Sequence, residues 1–516
     1  MNVVIIGAGP AGLTTAFELS KTKDYDIILL EQSDEVGGIS KTVKTRENRM
    51  DIGGHRFFSK QSEVMDWWKN ILPIQGEDSF DDKALGRKKQ LSPNGPSPDT
   101  CDDVMLVRRR ISRIYYNQHF FDYPISMKMQ TFKNMGFVAM IKAGFSYSKS
   151  MLFKKPETNL ENFYINRFGK VLYSIFFEGY TEKLWGRQPR DIAADWGSQR
   201  IKGLSILALI KDIFRKLFHI KGNVETSLIE EFWYPKYGPG HLWQRVASLA
   251  QENGVSILTG CTVKEIESAS DKITAVKYEK DGRVLTLKAD IVVSSMPLKD
   301  LINGFSSESA PEQIRRIANG LPYRDYVTVG LEVDALSLKN ETDIPTLGNI
   351  VPDCWIYVQD TGVKLGRIQL FNNWSPYLVK DPHHTVWVGL EYFCDEGDDF
   401  WNMADAQCIS FAIEELKKMG IINDATKIGH THIERVQKAY PAYFDTYEEI
   451  DTLVDWLNGW ENLYCVGRNG QHRYNNMDHS MITAFNTVEA IKNGTTDKSA
   501  IWNVNTEKEY HEEKNK

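Results

Sequence analysis

The chain has 516 residues, too many for a single hydrophobic core, so two or more domains are expected. Its 42% hydrophobic and 25% charged residues are those of an ordinary globular protein. A net charge of −7 argues against a nucleic-acid-binding surface, and no apolar run approaches the roughly 18 residues that cross a bilayer, so no integral membrane segment is expected.

The first element is a short apolar run, Asn2–Ile6, suited to a buried parallel strand. No basic region precedes it, so a secretory leader is not expected. The six cysteines, Cys101, Cys261, Cys354, Cys394, Cys408 and Cys465, lack metal-ligand spacing. They read as free thiols of a reducing, cytoplasmic compartment, with no metal site. Gly7-Ala8-Gly9-Pro10-Ala11-Gly12 follows the strand, and residues 13–20 have helical spacing. Gly7 permits the tight turn, Gly9 lets backbone approach a pyrophosphate, and Gly12 lets helix pack on strand. The helix N-terminus then offers unpaired N–H groups to phosphates. A second apolar strand, Asp26–Leu30, ends in Glu31, where a ribose-binding carboxylate belongs. This motif by itself does not separate FAD from NAD.

Two further glycine pairs follow, Val36-Gly37-Gly38 and Asp51-Ile52-Gly53-Gly54-His55-Arg56. Residues 76–103 are polar, contain Pro93, Pro96 and Pro98, and read as a long surface loop. Residues 104–224 are assigned to a helical domain, with helical periodicity from about Met127. Within it, Gly179-Tyr180-Thr181-Glu182-Lys183-Leu184-Trp185-Gly186-Arg187, followed by Arg200, combines rings, a hydroxyl and positive charges. A nucleoside diphosphate wants those groups, although by chemistry alone an amphipathic helix end with a core tryptophan and solvated charges is the plainer reading. Residues 204–220 interleave apolar side chains with Lys211, Arg215, Lys216 and His219. Such a helix touches a membrane or partner or packs on its own domain, and Asp212 favours the packing. Residues 255–263 and 289–297 read as further strands of the nucleotide domain, and strand-like runs across residues 321–444 suggest an antiparallel sheet domain. A last apolar strand at residues 463–467 ends at Gly467-Arg468, and a helix is expected over about residues 481–491, opening at Met481. Residues 501–516 form a tail.

The glycine pairs in this order resemble the FAD-dependent superfamily of amine oxidases, protoporphyrinogen oxidases and UDP-galactopyranose mutases. The resemblance implies an α/β fold: a Rossmann-like FAD-binding domain from residues 1–75, 225–320 and 445–500, an inserted helical substrate-cap domain (104–224) and an antiparallel sheet domain (321–444). It implies an FAD site made by Gly7, Gly9, Gly12, Glu31, Gly38, Gly54, His55, Val263, Gly467, Arg468 and Met481. Val263 would lie at the adenine, and the helix at Met481 would aim its N-terminus at the flavin.

The segment Tyr180 to Arg187 with Arg200 resembles the mutases within that superfamily. So does Gly467-Arg468-Asn469-Gly470-Gln471-His472-Arg473-Tyr474-Asn475-Asn476-Met477-Asp478-His479-Ser480, which, with His55, is closest to their eukaryotic branch. Asn372-Asn373-Trp374-Ser375-Pro376-Tyr377 and Tyr440-Pro441 also match that branch. The resemblance implies a flavin-dependent interconversion of pyranose and furanose forms of a UDP-sugar, UDP-galactose by default, through a flavin N5–sugar adduct without net redox change. FAD would act reduced, with NADPH or NADH as reductant, and a homo-oligomer stays open. Tyr180, Trp185, Arg200, Tyr323, Tyr440 and Tyr474 would bind the substrate. His55, Arg200, Tyr440, Tyr474 and Asn476 would serve catalysis. The mutases also set a sheet-domain arginine against the diphosphate. Arg324 is the candidate, while Glu332 nearby carries the wrong charge. The alternative is an FAD-dependent oxidoreductase of the protoporphyrinogen oxidase or amine oxidase type.

Overall fold

A computed structural model describes residues 1–123, 131, 134–194 and 231–505. Arg200, residues 204–220 and the tail beyond residue 505 lie outside the described residues. Asn2–Ile6 is the central strand of a five-stranded parallel sheet, with Ile291–Ser294 on one side and Asp26–Leu30 on the other. Leu463–Cys465 pairs outside Ile291–Ser294, and Ser256–Leu258 outside Asp26–Leu30. The sheet thus draws strands from three separated stretches of chain.

Strand alternation explains the two cores beside it. Val3 and Ile5 face the helices Pro10–Ser20, Pro239–Glu252 and Met477–Asn493. Val4 and Ile6 face Leu298, Leu301 and Ile302 on the other side. The run expected as one strand at residues 255–263 is two. Gly260 turns the chain with φ +65°, and Thr262–Ala269 leaves for a separate three-stranded antiparallel sheet.

The second large sheet has seven strands, in the order Ile428–Pro441, Tyr323–Val333, Val386–Cys394, Arg367–Leu370, Trp355–Val358, Ser112–Tyr116, His119–Asp122. Its pairings are antiparallel except one: Trp355–Val358 runs parallel to Ser112–Tyr116. Two strands therefore come from a stretch assigned to the helical domain. Asn117 and Gln118, with φ of 48° and 61°, make the two-residue turn that joins them. Met105–Arg109 is also a strand, paired with Glu231–Pro235.

Helices begin beyond this hairpin. Phe137–Leu152 packs on Leu160–Tyr173, where Gly169 is required: a Cβ there would lie 2.8 Å from the Tyr147 amide nitrogen. A π-helical turn, Ser174–Glu178, leads into Gly179–Trp185, which Gly186 ends with φ +65°. Residues 76–103, read as a surface loop, instead hold a helix, Phe80–Leu85, and a buried charge cluster. Asp81 and Asp82 are buried and pair with Arg87, Lys89 and Arg108, and Ser79 donates to both carboxylates. Arg108 also donates to the Asn373 carbonyl, which ties this insertion to the sheet domain.

Candidate active site

The turn after the first strand has the geometry a dinucleotide needs. Gly7 has φ +96°, and its N–H donates to the Leu30 carbonyl at 2.7 Å. A Cβ on Gly12 would lie 1.9 Å from the Gly7 carbonyl oxygen, so only glycine lets this helix sit on its strand. Gly9 differs. A Cβ there would meet only Gly38 Cα, at 3.8 Å, so the space above it is left for a ligand. The helix Pro10–Ser20 begins with no side-chain cap and no acidic residue in its first turn. Its leading N–H groups and positive dipole end are thus available to phosphate. Glu31 accepts from the Ala8 amide at 2.7 Å and from Ser33 N and Oγ at 2.9 and 2.7 Å, which holds its carboxylate at the rim. The Cys261 amide donates to the Glu31 carbonyl, which brings half-buried Val263 near the same strand end. Gly467, with φ +77°, lies against Ala11, where a Cβ would come within 2.9 Å of the alanine methyl. These residues fit an ADP group.

The glycine pair at 53–54 is held by close approach rather than by turn geometry. A Cβ on Gly54 would fall 1.8 Å from the Trp355 ring. His55 Nδ1 lies 2.8 Å from the Gly53 carbonyl. A carbonyl only accepts, so Nδ1 carries the proton and Nε2 keeps its lone pair. Burial, opposed by that hydrogen bond and reinforced by Arg468, pushes the His55 pKa down to about 4. The imidazole is neutral at neutral pH. Just before the pair, Asp51 is fully buried, accepting from Thr42 at 2.7 Å and from the Tyr234 hydroxyl. Burial raises its pKa to about 7.

Beside Trp355 lies a cluster of arginine and tyrosine. Arg367, in the strand Arg367–Leu370, is buried, with its guanidinium 5.2 Å from the Trp355 ring centroid. Its Nε donates to the Tyr180 hydroxyl at 2.6 Å, and its Nη1 donates to the Tyr440 hydroxyl at 2.9 Å and to Glu391 at 3.3 Å. Burial raises the pKa of both tyrosines, so each accepts from Arg367 while keeping a proton to donate. Tyr440 stacks on Tyr474, with centroids 5.5 Å apart and planes at 20°. Arg468 lies 4.5 Å from the Tyr474 centroid, held by the carbonyls of Asn475 and Ala439 at 2.8 Å each. Trp185 closes this side, 6.5 Å from Tyr474. Two arginines against one buried carboxylate, Glu391, leave a positive, ring-lined surface that suits a diphosphate.

Four chain segments meet here, so most residues singled out in the sequence converge: Tyr180, Trp185, Tyr440, Tyr474, Arg468 and His55. Others are engaged elsewhere. Arg324 donates to the carbonyls of Leu184 and Lys183 and pairs with Asp395 at 2.6 Å, so it supports the helix Gly179–Trp185. Lys183 donates to the carbonyls of Val358, Asp360 and Leu365, and Arg187 pairs with Asp445. Tyr323, three residues from Tyr326, points to the opposite face of its strand and packs edge-on against His472 at 4.6 Å. Asn476 is the N-cap of Met477–Asn493, in a reciprocal capping box with His479. That helix starts four residues before Met481, which lies buried and accepts from the Trp68 indole at 3.1 Å. Sequence reasoning missed Arg367. Its strand was legible, but a lone arginine in an apolar run has no local signature.

A glycine-lined nucleotide turn on a parallel sheet, with an arginine–tyrosine cluster on a second sheet, defines a dinucleotide-binding protein. The chain belongs to the flavin-containing amine oxidoreductase family, whose model matches residues 10–490, and the family implies FAD. Among solved structures it is similar to a reduced UDP-galactopyranose mutase, with TM-score 0.75, 18% identity and 97% of each chain covered. It is also similar to a putative protoporphyrinogen oxidase from Exiguobacterium sp. 255-15, with TM-score 0.64, 14% identity, and 96% of this chain and 99% of that one covered. At such identities the likeness is one of fold. Among curated proteins it is 22% identical over 317 residues to 4,4'-diaponeurosporene oxygenase of Staphylococcus aureus (strain USA300), covering 57% of this chain. That match spans only 55% of the relative's length.

Proposed function

We propose that the protein is a flavin-dependent mutase acting on a nucleotide sugar, with UDP-galactopyranose and UDP-galactofuranose as the default pair. The observation that carries this reading is the buried Arg367, joined to the Tyr180 and Tyr440 hydroxyls beside the stacked Tyr474 and Arg468. A leaving diphosphate uses such a set, since arginine and tyrosine donors meet its negative oxygens. FAD, when bound and reduced, supplies the nucleophile, and NADPH or NADH is the proposed reductant. The chain's own task is to bind and orient. Arg367 and Arg468 hold the diphosphate, and the tyrosine hydroxyls donate to its oxygens. Trp185 is assigned to the sugar pocket and neutral His55 to its flavin side, while Asn476 acts by capping the helix Met477–Asn493. Arg200, outside the described residues, is assigned to the diphosphate as well.

Incubation of dithionite-reduced protein with UDP-galactofuranose should produce UDP-galactopyranose, followed chromatographically. No conversion with several UDP-sugars, together with rapid turnover of an amine or porphyrinogen, would overturn the reading. Arg200→Ala should weaken UDP binding while FAD stays bound. The second reading, an FAD-dependent oxidoreductase, is favoured by the family's description and by the oxygenase relative.

A further inference from the structure

The helix Phe137–Leu152 presents its apolar side to solvent. Ala143 and Ser150 are its buried residues, seven apart and so on one face, seated on Leu160–Tyr173. Val138, Phe145 and Leu152 recur at the same interval, displaced by two positions, which puts them on the opposite side of the helix. Phe145 is 76% and Leu152 78% exposed, and Phe137, Ile141, Met151 and Phe153 are exposed with them. Five large apolar side chains on one outward stripe, Phe137, Val138, Ile141, Phe145 and Leu152, exceed the scattered exposure of an ordinary surface. Lys142 and Lys149, also seven apart, are exposed beside the stripe, and Lys154 and Lys155 follow it. Residues 137–155 contain these four lysines and no aspartate or glutamate, in a chain of net charge −7.

We propose that this helix is a docking surface for an anionic lipid bilayer, lying in the headgroup region rather than crossing it. Among the described residues no helix is long and apolar enough to cross a membrane. Bulky apolar groups with flanking lysines suit the headgroup boundary, where the rings enter the acyl region and the ammonium groups reach lipid phosphates. Charge selects this occupant over the others. A second copy of the same face would set lysine against lysine. Residues 204–220, apolar and outside the described residues, bear Lys211, Arg215 and Lys216 against the single Asp212, so they have the same sign as the helix. The surface is independent of the mutase reading, since none of its residues belongs to the pocket.

Flotation of the holoprotein with vesicles of phosphatidylcholine, with and without phosphatidylglycerol, tests it. The protein should float with the anionic vesicles, less so at raised salt. Phe145→Asp with Leu152→Asp should lower the bound fraction roughly tenfold or more, with circular dichroism unchanged. Lys142→Glu with Lys149→Glu should lower it on anionic vesicles while leaving the apolar stripe intact. Failure to float with either vesicle would overturn the proposal, as would undiminished binding of the aspartate variant. Conversion of a wild-type dimer to monomer by that variant, seen by sedimentation without lipid, would assign the face to a second copy instead.

Discussion

Taking a guanidinium out of water costs more than one partner returns, so a buried arginine must have most of its donors occupied. Arg367 meets this with two phenols and a carboxylate, at 2.6, 2.9 and 3.3 Å. The phenols matter for function because they pass the positive field on as O–H donors. Lysine at this position has one point charge and cannot span Tyr180 and Tyr440 together. Arg367→Lys should therefore weaken UDP binding roughly tenfold or more, by calorimetry, with flavin absorbance retained. Two other residues make stability depend on pH in opposite directions. His55 has its pKa lowered to about 4 from 6.5, so the unfolded chain binds a proton there before the folded one does. Its contribution is complete above pH 6.5 and is lost as pH falls toward 4. Asp51 has its pKa raised to about 7 from 3.8, so the folded chain holds the extra proton. Its contribution is complete below pH 3.8 and is lost as pH rises through 7. In urea titrations across this range, Asp51→Asn should gain stability relative to wild type as pH rises, and His55→Gln should gain it as pH falls.

At the scale of elements, the nucleotide turn separates two demands that one glycine motif conceals. Gly12 is required by packing, since a methyl would overlap the Gly7 carbonyl at 1.9 Å. Gly9 is required only by what lies above it, since its own methyl would find nothing closer than 3.8 Å. Gly12→Ala should lower folding stability by about 2 kcal/mol or more. Gly9→Ala should leave the apoprotein's melting temperature nearly unchanged and lower FAD retention on gel filtration. Equal loss of stability in both variants, or full FAD retention in Gly9→Ala, would overturn this division of roles. This turn was readable because strand, glycines, helix and acidic strand end lie within about thirty residues. The hairpin at residues 112–122 was not. Its turn residues, Asn117 and Gln118, lack the glycine that usually announces such a turn, and a neighbouring helical pattern absorbed it. The same holds for Met477–Asn493, whose start four residues before Met481 depends on the Asn476 cap rather than on apolar periodicity.

Over the whole molecule, the insertion at residues 76–103 binds its neighbours through charge. Asp81 is held well below the ordinary carboxylate range by Arg108 and Arg87, despite its burial. Removing one member of such a cluster leaves the others buried and uncompensated. Asp81→Asn should lower stability by about 3 kcal/mol or more in urea unfolding and open residues 76–103 to protease. Because Arg108 also holds the Asn373 carbonyl, the segment Asn372-Asn373-Trp374-Ser375-Pro376-Tyr377 should loosen with it.

The sequence by itself determined the ADP turn, the family and the four motifs that meet in the pocket. Each of these is a short string whose chemistry is complete within a turn or two of chain. Tertiary structure decided which charges belong to the pocket. Lys183 and Arg187, in the same short motif as Tyr180, are spent on backbone carbonyls and on Asp445. Arg367 lies 187 residues from Tyr180 and meets it at 2.6 Å. A charge is assigned by what it touches after burial, and the packing of the helix Gly179–Trp185 against the second sheet, not local pattern, sets that contact.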